Sequence, residues 1–293
     1  MLWRPLTPLQ SPANVRFPGG YNCAMSSPSP PRPPLKRIVL AGTSGFAVGL
    51  LGGLIGLGGA EFRLPMLIGV FGFPALEAVI VNKASSLIVV ASGLAARAQS
   101  VPIGDVLAQW PTIATLLAGS LAGAWFGADF ATRLKSSTLY RIIAALLIVI
   151  AVVLLTTHDA SAQTLFVPGL LRTTIGTFAG FFIGAVASLL GVAGGELLIP
   201  TLVLLFGIDI KLAGSMSLAI SLPTMLVGFA RYSQDQAFAV FRVNGAFILA
   251  MGVGSILGTI LGGSLVRVVP TKILLPLLAA ILVLSAFKVW RHR

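Results

Sequence analysis

Two glutamates lie in strongly apolar parts of the chain, and each comes within two residues after a pair of glycines. Glu61 follows Gly58–Gly59, and Glu196 follows Gly194–Gly195. A proline comes four residues after each glutamate. Glycine permits backbone angles that other residues avoid, and proline interrupts helices. Each site therefore predicts a break between two helices, with one carboxyl group at the break.

A carboxyl group at such a break has two possible tasks. Inside a membrane, loss of water favours the protonated form of a carboxyl group, so Glu61 and Glu196 can carry protons for coupled transport. The alternative task is structural, because a carboxylate can accept the free backbone N–H groups at the start of the following short helix. The two tasks are compatible with each other.

Cations also lie in or beside apolar runs. Arg63 is two residues after Glu61, and Lys83 lies in the next apolar segment. A charge at the centre of a membrane helix costs about 2.5–3.5 kcal/mol, so such a residue is expected to have a function. Either cation suits an anionic substrate, and the alternative is a salt bridge to Glu61. Arg231 is a secondary candidate, with snorkelling to the cytoplasmic surface as the alternative.

Hydroxyl and amide side chains follow both breaks at helical spacing. Positions three and four apart share a helix face, so Asn82, Ser85 and Ser86 face one way, as do Ser217 and Ser221. Half-helix N-termini attract anions. The alternative is hydrogen bonding between helices, worth about 0.6 kcal/mol per pair. The predicted substrate-binding set is Gly58, Gly59, Asn82, Lys83, Ser85, Ser86, Gly194, Gly195, Ser215, Ser217 and Ser221.

Other kinds of chemistry lack the residues they need. Cys23 is the single cysteine, so an intrachain disulfide and a thiolate metal cage are excluded. The two histidines, His158 and His292, lie outside the apolar segments. No Walker A sequence is present. We therefore expect no cofactor, no metal and no enzyme activity, although an intramembrane Ser–Lys enzyme using Lys83 stays an alternative.

Composition places these residues in a membrane. Of 293 residues, 56% are hydrophobic and 10% are charged, and the mean hydropathy is +0.98. Soluble domains carry about 25% charged residues. The net charge of +12 comes largely from basic residues flanking the first and last apolar segments, where they favour cytoplasmic retention and anionic lipids. We expect a polytopic all-α protein that contacts the lipid bilayer and does not bind nucleic acid.

The chain divides into a tail and two halves. Residues 1–35 hold nine of the eighteen prolines and are predicted to be a disordered tail, with Met25 as an alternative start to Met1. Repeats are predicted at 36–158 and 159–293, with eight spanning helices and two short segments after the breaks. The apolar segments are 38–58, 62–73, 77–97, 106–130, 138–156, 171–192, 197–208, 212–231, 243–265 and 272–290.

The halves match at an offset of 135 residues. Residues 45–99 and 180–234 share 18 identities in 55 positions, including the glutamate and proline of each break. If the short segments count as crossings, the repeats are inverted. Four regions then lie on one side of the membrane: the two termini and the loops 131–141 and 231–242. Together these regions hold 13 of the 20 basic residues. The positive-inside rule favours that arrangement, whereas re-entrant short segments would make the repeats parallel. We predict inverted repeats with cytoplasmic termini.

Glycines also recur at four-residue spacing, a pattern that lets membrane helices approach closely. The pattern predicts helix packing rather than ligand contact at these positions. The glycines concerned are Gly45, Gly49, Gly119, Gly123 and Gly127, with their counterparts Gly180, Gly184, Gly254, Gly258 and Gly262.

The two glycine breaks, the duplication and the stretch Asn82–Leu87 resemble the TauE/SafE, or sulfite exporter, family of membrane transporters. The resemblance covers about residues 38–290. It implies a secondary active transporter that moves small anions such as sulfite or organosulfonates across the bacterial inner membrane. Here Arg63 adds a second charge to the first break, while the second break has Glu196 alone. A passive anion channel and a membrane scaffold stay as alternatives.

Overall fold

The computed structural model describes residues 35–55, 59–97, 101–156 and 169–265, together with eight positions between 280 and 291. The secondary structure of the described residues is helical throughout, as the composition predicts. The predicted tail, Gly58 and most of the last apolar segment lie outside the described residues. The helices are α1 Leu35–Ile55, α2 Ala60–Gly69, α3 Ala75–Arg97, α4 Ile103–Ala108, α5 Trp110–Arg133, α6 Ser136–Thr156, α7 Gly169–Leu190, α8 Gly195–Phe206, α9 Ile210–Tyr232, α10 Ala239–Val243 and α11 Gly245–Leu265.

Among the described residues, six helices are long and apolar enough to cross a membrane: α1, α3, α5, α7, α9 and α11. This is fewer than the eight predicted. Helix α6 is apolar over a shorter stretch, Ser136–Val152, and the predicted segment 272–290 is described at only a few positions. Helices α2 and α8 have 10 and 12 residues, too few to span about 30 Å of hydrocarbon at 1.5 Å per residue.

Helix bounds in the second half follow those in the first at the same offset as the sequence matches. Adding 135 to α3 gives 210–232, which are the bounds of α9. Adding 135 to α1 gives 170–190, one residue shorter than α7. Helix α8 starts 135 residues after α2, and α11 starts 135 residues after α5. The order of long and short helices is therefore the same in both halves.

Glycines let α1 pack directly on α11. A Cβ atom on Gly45 would collide with the carbonyl oxygen of Met251, and one on Gly49 would collide with that of Ser255. The residue numbers rise together along the contact, so α1 and α11 run in the same direction. The predicted packing role of the spaced glycines is confirmed here.

The same contact recurs between α5 and α7. A Cβ atom on Gly119, Gly123 or Gly127 would meet the backbone of α7 at Thr177, Phe181 or Ala185. These pairs also rise together, so α5 and α7 are parallel. Each half therefore contributes its first helix to a pair with the helix of the fourth apolar segment of the other half.

Helices α3 and α9 run in opposite directions. A Cβ atom on Gly93 would lie 3.7 Å from Leu218 Cδ1, while one on Gly228 would lie 2.7 Å from Lys83 Nζ. One residue number falls as the other rises, so the helices are antiparallel. Because α3 and α9 occupy equivalent places in the two halves, their opposite directions are relevant to how the two halves are related.

Contacts near the helix ends show which ends lie together. At the start of α1, Arg37 donates to the Phe71 carbonyl oxygen at 3.2 Å and lies over the Phe73 and Phe247 rings. Helices α1, α3 and α11 therefore begin at one end of the bundle, where α2 finishes. A Cβ atom on Gly176 would touch Phe206, which places the start of α7 beside the end of α8. The two short helices thus run toward opposite ends.

Candidate functional site

Each short helix begins at a glycine in the left-handed conformation. Gly59 has φ 73° before α2, and Gly194 has φ 79° before α8. Because glycine has no side chain, neither N-cap residue supplies a side-chain hydrogen bond to the first N–H groups of its helix. Two helix N-termini, the ends with partial positive charge, are therefore uncapped in the interior of the bundle.

The glutamates of the two breaks meet. Glu61 is 3% exposed and Glu196 is 8% exposed, and their carboxyl groups lie close enough for the charge of one to act on the other. Apart from that contact, Glu61 Oε1 and both carboxyl oxygens of Glu196 receive no hydrogen bond from other described residues. Two carboxylates cannot donate to each other, so the contact becomes a hydrogen bond only when one of them holds a proton.

Arg63 is fully buried beside this carboxyl pair. Its Nη1 donates to Ser86 Oγ at 3.0 Å and lies 3.5 Å from Asn82 Oδ1, and its Nη2 donates to Ser255 Oγ at 3.0 Å. Its Nε is buried and has no hydrogen-bond partner among the described residues. The charge of Glu61 acts on Arg63, but hydroxyl and amide oxygens fill its donor sites rather than a salt bridge. A donor is therefore left for a ligand.

Asn82 connects the two breaks. Its amide nitrogen donates to the Ala60 carbonyl oxygen at 3.1 Å and to the Leu190 carbonyl oxygen at 3.0 Å. Ala60 starts α2 and Leu190 ends α7, so one side chain of α3 satisfies carbonyl groups from both halves. In the second half, Ser221 Oγ donates to the Ala193 carbonyl oxygen at 2.7 Å. Polar side chains thus bind backbone carbonyl groups at both breaks, including those of Leu190 and Ala193, which lie where α7 ends.

Lys83 lies against the second break although it belongs to the first half. Its Nζ donates to Ser188 Oγ at 3.1 Å and lies 5.7 Å from the centre of the Tyr232 ring. Tyr232 in turn donates from its hydroxyl to the Ser188 carbonyl oxygen at 2.9 Å. The predicted alternative, a salt bridge from Glu61 to Lys83, is not formed among the described residues. Its amine is buried without a carboxylate partner.

The predicted hydroxyl cluster divides into separate parts. Ser85 and Ser215 are buried, and their hydroxyl groups have no partner among the described residues. Ser217 bonds locally to the Gly214 carbonyl oxygen at 2.9 Å. Asn82 and Ser86, predicted to share a face, do share one, since both contact Arg63.

Arg231 lies away from the breaks, at the end of α9. Its guanidinium binds Asp129 of α5 through Nη2 at 2.5 Å and Nε at 3.1 Å, and Arg133 also binds Asp129, at 2.8 Å. Its side chain is partly buried and lies 6.0 Å from the Trp125 ring centre. The structure therefore gives Arg231 an ion-pair partner between helix ends and does not bring it to the central site.

Two polar partners of the central cations were not predicted from the sequence. Ser255 binds Arg63 and Ser188 binds Lys83. One signal was present, because Ser255 has Ser120 as its counterpart at the 135 offset, and Ser120 is also buried, with its hydroxyl 2.7 Å from Thr224 Oγ1. In the part of the chain that the structure describes, no group of three potential metal ligands is present.

Comparison with known proteins agrees with the resemblance. The family model described as sulfite exporter TauE/SafE matches residues 41–289. A curated relative, "Probable membrane transporter protein YunE" from Bacillus subtilis (strain 168), is 23% identical over 259 residues, which cover 82% of this chain and 92% of that protein. No solved structure matches the chain. Since the family model spans both breaks and nearly all the helices, this protein belongs to the sulfite exporter TauE/SafE family.

Proposed function

We propose that this membrane transporter is a secondary active carrier of small anions, coupled to protons. The observation that supports this best is that two helix N-termini, two buried cations and two buried carboxyl groups lie around the two breaks. The family points to sulfite or an organosulfonate as the anion and to export across the inner membrane. Arg63 Nε, Lys83 and the uncapped backbone N–H groups are the proposed anion donors.

The proposed architecture is a pair of inverted repeats whose breaks lie near the bilayer midplane. Antiparallel α3 and α9 support inversion, because repeats related by an axis along the membrane normal would place these counterpart helices parallel. The opposite directions of α2 and α8 support it as well. Alternating access would then move one half against the other around a site that both halves line.

The proposed orientation places both termini in the cytoplasm. Helix α1 begins at the end of the bundle where α9 finishes, since Gly228 lies near Lys83 in the early part of α3. That end carries Lys36, Arg37, Arg133 and Arg231. The positive-inside rule favours the cytoplasm for it.

In the proposed cycle the anion and a proton occupy the centre together. The anion accepts hydrogen bonds from the central cations, and a proton on the carboxyl pair removes the repulsion between Glu61 and Glu196. Loss of the proton on one side of the membrane restores that repulsion and weakens the site for the anion. Coupling follows because each charge stabilises the other in a medium of low dielectric constant.

The direct test measures sulfite flux in proteoliposomes under an imposed pH gradient. We expect Glu61→Gln and Glu196→Gln to abolish or uncouple transport while the protein remains folded. The matched control is Glu77→Gln, which changes a partly buried glutamate near the start of α3, outside the carboxyl pair. Full proton-dependent transport by both pair variants would contradict the coupling, and ionic conductance without coupling would indicate a passive channel.

A further inference from the structure

The two breaks have the same backbone but different charges. Arg63 lies two residues after Glu61, whereas the equivalent residue after Glu196 is Leu198. Lys83 likewise has Leu218 as its counterpart at the 135 offset. The first half thus supplies both central cations, while each half supplies one carboxyl group. A pair of glutamates related by pseudo-symmetry therefore lies in an asymmetric electric field.

The field differs at the two carboxyl groups. Arg63 lies in the first turn of α2, two residues after Glu61, whereas Leu198 is the equivalent residue beside Glu196, whose two carboxyl oxygens are buried without a hydrogen-bond partner among the described residues. Lys83 is directed toward Ser188 and the Tyr232 ring rather than to either glutamate. An attractive cation favours the ionised carboxylate, and a neighbouring carboxylate favours the protonated acid. The local charges therefore give the two carboxyl groups different environments.

Other charged and titratable groups on the surrounding helices lie near helix ends, away from the breaks. Helix α11 carries none, by its sequence. On the remaining surrounding helices these groups are Lys36 and Arg37 of α1, Glu77 and Arg97 of α3, Asp129 and Arg133 of α5, Tyr140 and Arg141 of α6, Arg172 of α7, and Lys211, Arg231 and Tyr232 of α9, the last beside Lys83.

We infer that the two glutamates have different tasks in transport: Glu61 stays ionised as the counter-charge of Arg63, and Glu196 carries the proton that moves with the anion. This inference rests on the proposed function. It also defines the charge of the cargo. With Glu196 protonated, Arg63, Lys83 and Glu61 leave one surplus positive charge, which one monoanion neutralises.

The charges also balance when the anion and the proton are released. The O–H bond of the Glu196 carboxyl breaks, its proton passes to water on the side where the anion leaves, and the electron pair stays on the carboxylate. Arg63 and Lys83 then face two carboxylates, so the emptied centre is neutral. Losing only the proton or only the anion would leave a net charge in a low-dielectric interior, which is costly. One proton therefore accompanies one monoanion, and the cycle is electroneutral.

The test uses the full chain in proteoliposomes with methanesulfonate, a permanent monoanion, and with sulfite. We expect Glu196→Gln to lose the flux driven by a pH gradient but to retain flux driven by a potassium diffusion potential, because its surplus positive charge becomes permanent. We expect Glu61→Gln to lose both fluxes, since Arg63 then lacks its counter-charge. Glu77→Gln is the matched control and should retain pH-gradient-driven flux.

An infrared measurement gives a second readout that does not need transport. The absorption of a buried protonated carboxyl group should disappear in Glu196→Gln and persist in Glu61→Gln. Equal loss of the band and of coupling in the two variants would overturn the division of tasks while leaving proton coupling intact. Unchanged proton dependence in both would instead refute the proposed function.

The match between the two halves suggests a variant that tests the inference more directly. In the double exchange Arg63→Leu with Leu198→Arg, the arginine would meet Ser221 and Ser120, the counterparts of its present partners Ser86 and Ser255. The proton should then move to Glu61, so that Glu61→Gln removes the infrared band in this background. Persistence of the band under that change would overturn the inference. If the doubly substituted protein does not fold, the infrared band of the single variants Glu61→Gln and Glu196→Gln tests the inference.

Discussion

The break before α2 and the break before α8 share a left-handed glycine, a first-turn glutamate and a proline inside the helix. They differ in what surrounds that backbone. Each break glycine packs on the helix before it, α1 or α7, but the first break carries Arg63, bound to Ser86 of α3, whereas the second carries Leu198. The two breaks thus share the geometry that exposes helix N-termini, while both central cations lie in the first half of the chain. A symmetric scaffold with asymmetric charge can bind an anion in one orientation.

The largest expected difference between the breaks concerns their glycines. Alanine at Gly59 or Gly194 would adopt a left-handed conformation, at a cost of about 1–2 kcal/mol. At Gly59 the new Cβ would also collide with the backbone oxygen of Val48, whereas at Gly194 it would meet Ala187 Cβ and Ile183 Cγ2 at 3.2 Å, a contact that needs a shift of only a few tenths of an ångström. Overpacking adds about 1–3 kcal/mol. We expect Gly59→Ala to lower the thermal unfolding midpoint in detergent more than Gly194→Ala.

The control for that pair is Gly245→Ala, since a Cβ atom on Gly245 would have no neighbour within 4 Å. It should leave the midpoint close to that of the unmodified protein. Equal losses at Gly59 and Gly194 would show that backbone conformation alone governs both breaks, and the difference in their surroundings would then have no energetic consequence.

A smaller difference is expected between Asn82 and its counterpart Ser217. Asn82→Ala leaves the Ala60 and Leu190 carbonyl oxygens without their donor, at a cost of about 1–3 kcal/mol for a buried group. Ser217→Ala removes a bond to a carbonyl three residues earlier on its own helix, which should cost less than about 1 kcal/mol. For Asn82→Ala, both the thermal unfolding midpoint and the sulfite flux should fall. A larger loss in Ser217→Ala would reverse the comparison.

The smallest effect is expected at the end of α5, where the first half has Asp129 and the equivalent position holds Ser264. Asp129→Asn should lower the thermal unfolding midpoint only slightly, because its ion pairs with Arg231 and Arg133 lie partly in solvent. Salt should reduce the difference from the unmodified protein. The control is Asp105→Asn on α4, whose side chain is exposed. A large fall in the midpoint would mean that this ion pair has a central role in stability.

Much of the local structure followed from sequence because it depends on neighbouring residues. Gly59, Gly194 and the prolines after them marked the starts of the short helices, and the spaced glycines marked the α1–α11 and α5–α7 contacts. Partners distant in the chain were not predictable in that way. Ser255 is 192 residues from Arg63, and nothing in its own neighbourhood indicates that contact.

By itself the sequence determined that the chain crosses a membrane, that it breaks twice at equivalent places, and that charges lie where water is scarce. These properties depend on hydrophobicity, backbone freedom and periodicity, which are local. Only the tertiary structure decided that Glu61 faces Glu196, that Arg63 is held by hydroxyl groups rather than by a salt bridge, and that Arg231 pairs with Asp129. Those contacts depend on how distant helices pack and on their relative directions, and local residue patterns do not encode either.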